Sequence, residues 1–243
     1  MYFSRRSFIR NAFILSLTSS MLIKNVLANK NKEYEIGDKD ALLVVDVQND
    51  FCPGGSLAVK DGNKIIKNIN NIQRIFRNVI FTQDWHPENH SSFTTSNPNS
   101  LAFSSIMMNY GKQVIWPPHC IIGSHGAKFH KDLNTDNASV IIRKGYRQEI
   151  DSYSAFREND KKTATGLEGM LKKLEVNRVF VCGLALDFCV HYSAVDSAQI
   201  GFETLVIQDA SKPVALKGTL EKTYKNFREN NITMIDSSQF IIA

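Results

Sequence analysis

Asp46, Lys144 and Cys189 are far apart in the chain but occupy equivalent places in its pattern. Asp46 follows the apolar run Ala41 to Val45, Lys144 closes the run from Val140, and Cys189 follows the run Arg178 to Cys182 where a helical stretch begins. If these runs are parallel strands, the three side chains meet at the sheet edge where open α/β sheets bind ligands. A thiolate is favoured by a helix N-terminus and a nearby cation, and a carboxylate beside it can take the thiol proton. Each residue alone has a plainer reading: a strand-end aspartate as a cap, a lysine as solvated surface, a cysteine on an apolar helix as core. Their joint placement favours nucleophilic catalysis.

A second group is Asp84-Trp85-His86, with His90 four residues on and His119 further along in Trp116-Pro117-Pro118-His119. Asp84 and His86 are two apart, so in extended chain they point the same way. One carboxylate with two or three imidazoles is a ligand set for one divalent ion, Zn²⁺, Fe²⁺ or Mn²⁺, with positions left for water or substrate. Histidines can also cap loops and bind nothing. Four of the six lie between 86 and 125, which favours the metal.

The elements that must position these residues follow from hydrophobic pattern. Ala41–Asp46, Asn78–Thr82, Val140–Lys144, Arg178–Cys182, Thr204–Ile207 and Ile232–Ile235 read as strands. Runs apolar on both faces mark buried parallel strands. Helical spacing covers 61–77, 165–174, 187–200 and 217–230, while 84–135 reads as a long irregular region, rich in Pro, Asn, Ser and His, of the kind that usually carries function. The alternation predicts one α/β domain, doubly wound, with a six-stranded mostly parallel sheet and helices on both faces.

The chain has 243 residues, 43% apolar and 22% charged, enough for a full core. Its net charge of +5 is largely local: residues 1–28 hold Arg5, Arg6, Arg10 and Lys24 and no acid, leaving 25 basic against 24 acidic residues. A near-neutral body gives no basic footprint for nucleic acid. Residues 1–28, with Arg5-Arg6, an apolar stretch and Val26-Leu27-Ala28, read as a twin-arginine signal peptide. Residues 29–39 then form a linker and 40–243 the domain. The apolar stretch is short for a membrane span, so the expectation is a folded protein exported to a bacterial periplasm with its metal loaded, and no stable span in the mature form. A homo-oligomer is compatible with the sequence. The four cysteines match no disulfide scaffold and read as free thiols.

Several motifs carry a resemblance. Asp46-x-Gln48-Asn49-Asp50-Phe51-Cys52-Pro53-Gly54-Gly55, Asp84-Trp85-His86-Pro87-x-x-His90, Trp116-Pro117-x-His119-Cys120, Lys144-Gly145 with Asp151-Ser152-Tyr153-Ser154-Ala155-Phe156, and Gly183-Leu184-Ala185-x-Asp187-Phe188-Cys189 occur in order. Together they resemble the nicotinamidases of the isochorismatase-like cysteine hydrolase superfamily, over residues 41 to about 210. The resemblance implies a metal-dependent amidohydrolase that converts nicotinamide to nicotinate and ammonia through a cysteine thioester, and that also takes pyrazinamide. It implies Cys189 as nucleophile, Asp46 as proton acceptor and Lys144 as the third catalytic member. It implies Asp84, His86 and His119 as metal ligands, with His90 a further ligand or a group that orients one.

The resemblance also places Phe51, Trp116, Tyr153, Ala185 and Leu186 around the substrate, and a cis peptide before Leu186 that frees backbone N–H groups for an oxyanion hole with that of Cys189. Two departures are visible: Leu186 stands where relatives often have Thr, and Ile121–His125 replaces a Gln-Gly-Thr type of sequence. Three rival readings compete. An amidase for a carbamoyl or ureido substrate would generally lack the Asp84, His86 and His119 set, an isochorismatase would not need Cys189, and an inactive nicotinamide-binding protein would not need the triad.

Overall fold

Residues 32–241 are described by a computed structural model of the protein, so residues 1–28, expected to be a signal peptide, lie outside the described residues. Six strands, β1 (Asp40–Val45), β2 (Asn78–Asp84), β5 (Val140–Lys144), β6 (Arg178–Leu184), β7 (Glu203–Lys212) and β8 (Thr233–Ile235), form one sheet in the order β5-β2-β1-β6-β7-β8. Every pair in it is parallel. The fold is the expected α/β one. β1 and β2 are buried along their whole length, as strands covered on both faces must be.

The order reverses between β1 and β6, so a crevice opens there at the strand C-termini. Asp46 leaves β1 on one side of it, and the segment from β6 to Cys189 lies on the other. Asp84 and Lys144 are register partners at the ends of β2 and β5. Adjacent partners in a parallel pair project to the same face, so a carboxylate and an ammonium are set side by side by the sheet itself.

Among the described residues four α-helices complete the layers: α1 (Ile66–Ile72), α2 (Leu167–Lys173), α3 (Cys189–Ile200) and α4 (Thr219–Glu229). α3 packs on β6 and β7 and against α4. It ends at Gly201, whose φ of 109° is the left-handed conformation that closes helices. The continuous helix predicted over 61–77 is instead a short α-helix between 3-10 turns at Gly62–Ile65 and Gln73–Ile75. Its β-branched isoleucines bury the inner face, but isoleucine and asparagine are mediocre helix formers.

The region 84–135 is not wholly irregular. β3 (Ser105–Met108) and β4 (Gly111–Val114) make an antiparallel ribbon of their own. It belongs to the body Ile36–Ser237. In the small terminal unit, Tyr34 N–H donates to Gln239 O at 2.7 Å and Ile241 N–H to Tyr34 O at 3.0 Å. Among the described residues no helix is long and apolar enough to cross a membrane. All four cysteines are free and buried.

Candidate active site

Lys144 is fully buried, which is tolerable for an ammonium only if its charge and donors are met. Its Nζ donates to Asp84 Oδ1, to Ser152 O at 3.0 Å and to Cys189 Sγ at 3.4 Å. It also lies 2.8 Å from Asp46 Oδ2. That last approach is an ion pair without hydrogen-bond geometry, so Oδ2 keeps its acceptor capacity. Asp46 Oδ1 is taken by the Thr82 hydroxyl at 2.5 Å. The reactive atoms of Asp46, Asp84 and Cys189 lie within 4.8 Å of one another.

The shared lysine does not treat the two carboxylates alike. Burial raises the Asp46 pKa and outweighs the pull of Lys144. Burial acts the same way on Asp84, but Lys144 and His86 overcome it and hold that carboxyl well below its usual range. Burial also pushes the Cys189 thiol well above its ordinary range, with Lys144 working against it. The arrangement is thus a protonated thiol beside the more basic of two carboxylates, while the other stays ionised. Carboxylates driven apart in this way take different roles in one site.

Asp84 Oδ2 faces His86 Nε2 at 3.6 Å and His119 Nε2 at 3.8 Å, and all three side chains are buried. The opposite nitrogens are committed: His86 Nδ1 donates to Gly145 O and His119 Nδ1 to Pro117 O, each at 2.8 Å. Those bonds leave both Nε2 lone pairs aimed at the Asp84 carboxylate, the outer support that metal-binding histidines require. Burial opposes charge on His86, but Asp84 outweighs it and raises its pKa. A site that draws a proton to that nitrogen also draws a cation. The three residues therefore fit a divalent metal.

His90 is held differently. Ser92 N–H donates to its Nδ1 at 3.3 Å, which leaves the proton on Nε2, 3.4 Å from Ile150 O. It groups with His86 and Asp151 rather than with Asp84 and His119. Burial lowers its pKa to about 4.

A tight pocket, with about 20 Å³ of free space, lies over these groups. Phe51, Trp116, Tyr153, Ala185 and Phe188 wall it, and Asp84, His119 and Cys189 reach into it. Trp116 and Phe188 meet edge to face with centroids 4.9 Å apart, and Trp116 Nε1 donates to the Tyr153 hydroxyl at 3.1 Å. The result is a narrow aromatic slot, shaped for a flat ring, with a thiol at one side and the three candidate ligands at another.

Residues 40–239 match the isochorismatase domain. The chain belongs to this family. A nicotinamidase of Acinetobacter baylyi is 42% identical over 202 residues, 83% of this chain and 94% of that protein. The solved nicotinamidase/pyrazinamidase of Acinetobacter baumanii is 50% identical, with a TM-score of 0.82 over 83% of this chain and 98% of its own. A pyrazinamidase of Pyrococcus horikoshii, solved in complex with zinc, is 33% identical, with a TM-score of 0.67 over 82% of this chain and 99% of its own.

In this isochorismatase-domain protein the structure brings Asp46, Lys144 and Cys189 together and sets Asp84, His86 and His119 beside them. Leu186 is an exception among the expected residues. The cis peptide is Leu184–Ala185, one bond earlier than expected. The Leu186 N–H donates to Lys212 O at 2.8 Å, so it is not free for an oxyanion. Leu186 also does not line the pocket, whereas Ala185 does.

Three residues had no assigned role in the sequence reading. Gln48 clamps Asp84 by accepting from its N–H and donating to its carbonyl, both at 2.8 Å. Asp151 lies on the pocket wall and accepts from Gln113 Nε2 at 2.7 Å. Gln113, fully buried on β4, also donates to the Tyr153 hydroxyl at 2.8 Å. A glutamine at a buried position of an exposed ribbon has no signature in one sequence. Gln48 was visible as a motif member without a role.

Proposed function

We propose that this protein is a nicotinamidase, hydrolysing nicotinamide to nicotinate and ammonia through a thioester on Cys189, and that it accepts pyrazinamide as well. The observation that carries this reading is the placement of Cys189 Sγ, 3.4 Å from Lys144 Nζ, in the aromatic slot that also holds Asp84 and His119. The family membership and the nicotinamidase relatives support it.

In the first half-reaction Asp46 takes the Cys189 proton and the sulfur attacks the carboxamide carbon. Lys144 keeps its ammonium between the carboxylates and the sulfur, so negative charge moves from oxygen to sulfur without leaving its counterion. The N–H groups of Ala185 and Cys189 donate to no protein acceptor among the described residues and are the candidates to hold the oxyanion. Losing one such donor costs about 3–4 kcal/mol of barrier. The C–N bond breaks as Asp46 returns the proton to the departing ammonia. Water, deprotonated in turn by Asp46, then cleaves the thioester, releasing nicotinate and the thiol. A divalent cation on Asp84, His86 and His119 would supply a Lewis acid to fix the pyridine nitrogen and to acidify water. Phe51 and Trp116 fix the ring plane, and such alignment is worth up to roughly 7–11 kcal/mol.

The test is ammonia release from nicotinamide by the metal-loaded protein, with a chelator control and with Cys189→Ala. The expected result is release that the chelator abolishes and added metal restores, and no turnover by the variant. Turnover by Cys189→Ala would overturn the thioester route, and no release under any metal would overturn the substrate.

The leader motif supports a periplasmic location by twin-arginine export. Fractionation of cells carrying the full chain would refute this if the protein remained cytoplasmic and unprocessed.

A further inference from the structure

Tyr153 and Phe188 have two sides. One side walls the catalytic pocket, and the other walls a second cleft of about 520 Å³. That is a normal volume for a small-molecule site. Phe103, just before β3, and Lys112 on β4 line it, α3 contributes Tyr192, the chain entering α4 contributes Lys217, and α4 itself contributes Lys222.

The charge around this cleft is lopsided. Other surface lysines have acidic partners: Lys161 with Asp196, Lys172 with Glu168 and Lys225 with Glu229. Lys112, Lys217 and Lys222 pair with no carboxylate among the described residues, yet all three border the cleft. The one carboxylate there, Asp187, is committed to the Val214 and Ala215 N–H groups at 2.8 and 2.9 Å and to the Thr219 hydroxyl at 2.5 Å. Lys222 is held in place, donating to the Tyr192 hydroxyl at 3.1 Å with its Nζ 5.4 Å from the ring centroid. His191 also borders the cleft, and burial keeps it neutral, its pKa down at about 4.

Aromatic walls under three unpaired ammonium groups suit a flat ring bearing a negative charge. On the nicotinamidase reading, on which this inference rests, the substrate is neutral and the product is such an anion. We propose that the cleft beyond the Tyr153–Phe188 wall is a second binding site selective for the aromatic carboxylate product over its amide precursor. The ring lies against Tyr153, Phe188 and Tyr192, and the carboxylate is directed to Lys112, Lys217 and Lys222. The neutral amide gains nothing from those charges.

Equilibrium dialysis of the metal-loaded protein with labelled nicotinate tests this. Two nicotinates per chain are expected, against one nicotinamide on Cys189→Ala. Lys217→Ala/Lys222→Ala should weaken the second nicotinate about tenfold, as a sum of exposed charge contacts, and leave the first unchanged. Raising salt toward 1 M, where screening acts within about 3 Å, should weaken the second site in the same way. Benzoate should displace the second nicotinate, and acetate should not.

A single nicotinate per chain, or a second that survives the lysine substitutions, overturns the proposal. Displacement by acetate as readily as by benzoate overturns its aromatic half. The lysine variant should still release ammonia from nicotinamide. Hydrolysis without a second nicotinate refutes the cleft alone, whereas no hydrolysis by any metal-loaded preparation refutes the activity and with it the choice of ligand.

Discussion

Replacing Lys144 by methionine, which has a similar unbranched shape, removes one charge from a centre that holds two buried carboxylates. The ammonium is 2.8 Å from Asp46 Oδ2 and touches Asp84 Oδ1. At an effective dielectric of about 20, a pair at that distance attracts by about 6 kcal/mol, before the opposing desolvation of both groups is counted. Breaking a buried pair by deleting one partner typically costs about 3–5 kcal/mol, because the remaining charge is left uncompensated. Here two remain, so a loss at the upper end is expected, a large share of the roughly 5–15 kcal/mol that holds a domain folded. Urea unfolding at pH 7 would measure it, with chelator and with metal present. The loss should shrink with metal, which would compensate Asp84, and shrink again in Lys144→Met/Asp46→Asn, which removes the second stranded charge. A single variant as stable as wild type in chelator would refute the account of Lys144 as the counterion of both carboxylates.

Three further outcomes follow from the same geometry. Gly145 has φ +66°, and a Cβ there would come within 2.7 Å of His86 Nδ1, so Gly145→Ala should displace the His86 ring and weaken metal binding about 10–100-fold in a metal titration. In the same titration His119→Ala should abolish tight binding, while His90→Ala should stay within about tenfold of wild type; equal losses would show that His90 is a ligand. His191 is buried, accepts from Asn226 Nδ2 at 3.0 Å and has its pKa lowered to about 4. It therefore binds a proton more readily unfolded than folded. Its contribution is fully present above about pH 6.5 and is lost as pH falls toward 4, up to about 3 kcal/mol. His191→Gln should flatten the fall of urea stability across that window, and an unchanged slope would contradict the assignment.

The sheet was readable because its strands are buried on both faces and appear as continuous apolar runs, Leu42 to Val45 being the clearest. The positions of Asp46, Lys144 and Cys189 followed, since parallel topology alone fixes which strand ends share an edge. The β3–β4 ribbon was not readable. Its strands are four residues each, and β3 alternates exposed with half-buried, so no apolar face announces it. Hydrogen-bond direction was also invisible: which nitrogen of His90 is free depends on Ser92 and Ile150, and whether the Leu186 N–H is free depends on Lys212. Because the Leu186 N–H is taken by Lys212 O, the candidate oxyanion donor is the Ala185 N–H instead.

The ribbon hydrogen-bonds its strands only to each other, yet Gln113 on it reaches Asp151 and Tyr153, and Trp116 stands just beyond its end. Reactivity and fit are thus partly separated along the chain: sheet termini hold the nucleophile and its partners, while residues 101–116 supply one wall of the slot, Trp116, and through Gln113 brace another, Tyr153. Random change in those sixteen positions could redirect the enzyme to a wider or differently substituted heterocycle while its chemical engine stays intact. That separation makes the segment the natural cassette for diversification, in a laboratory library or in a lineage adapting to a new amide.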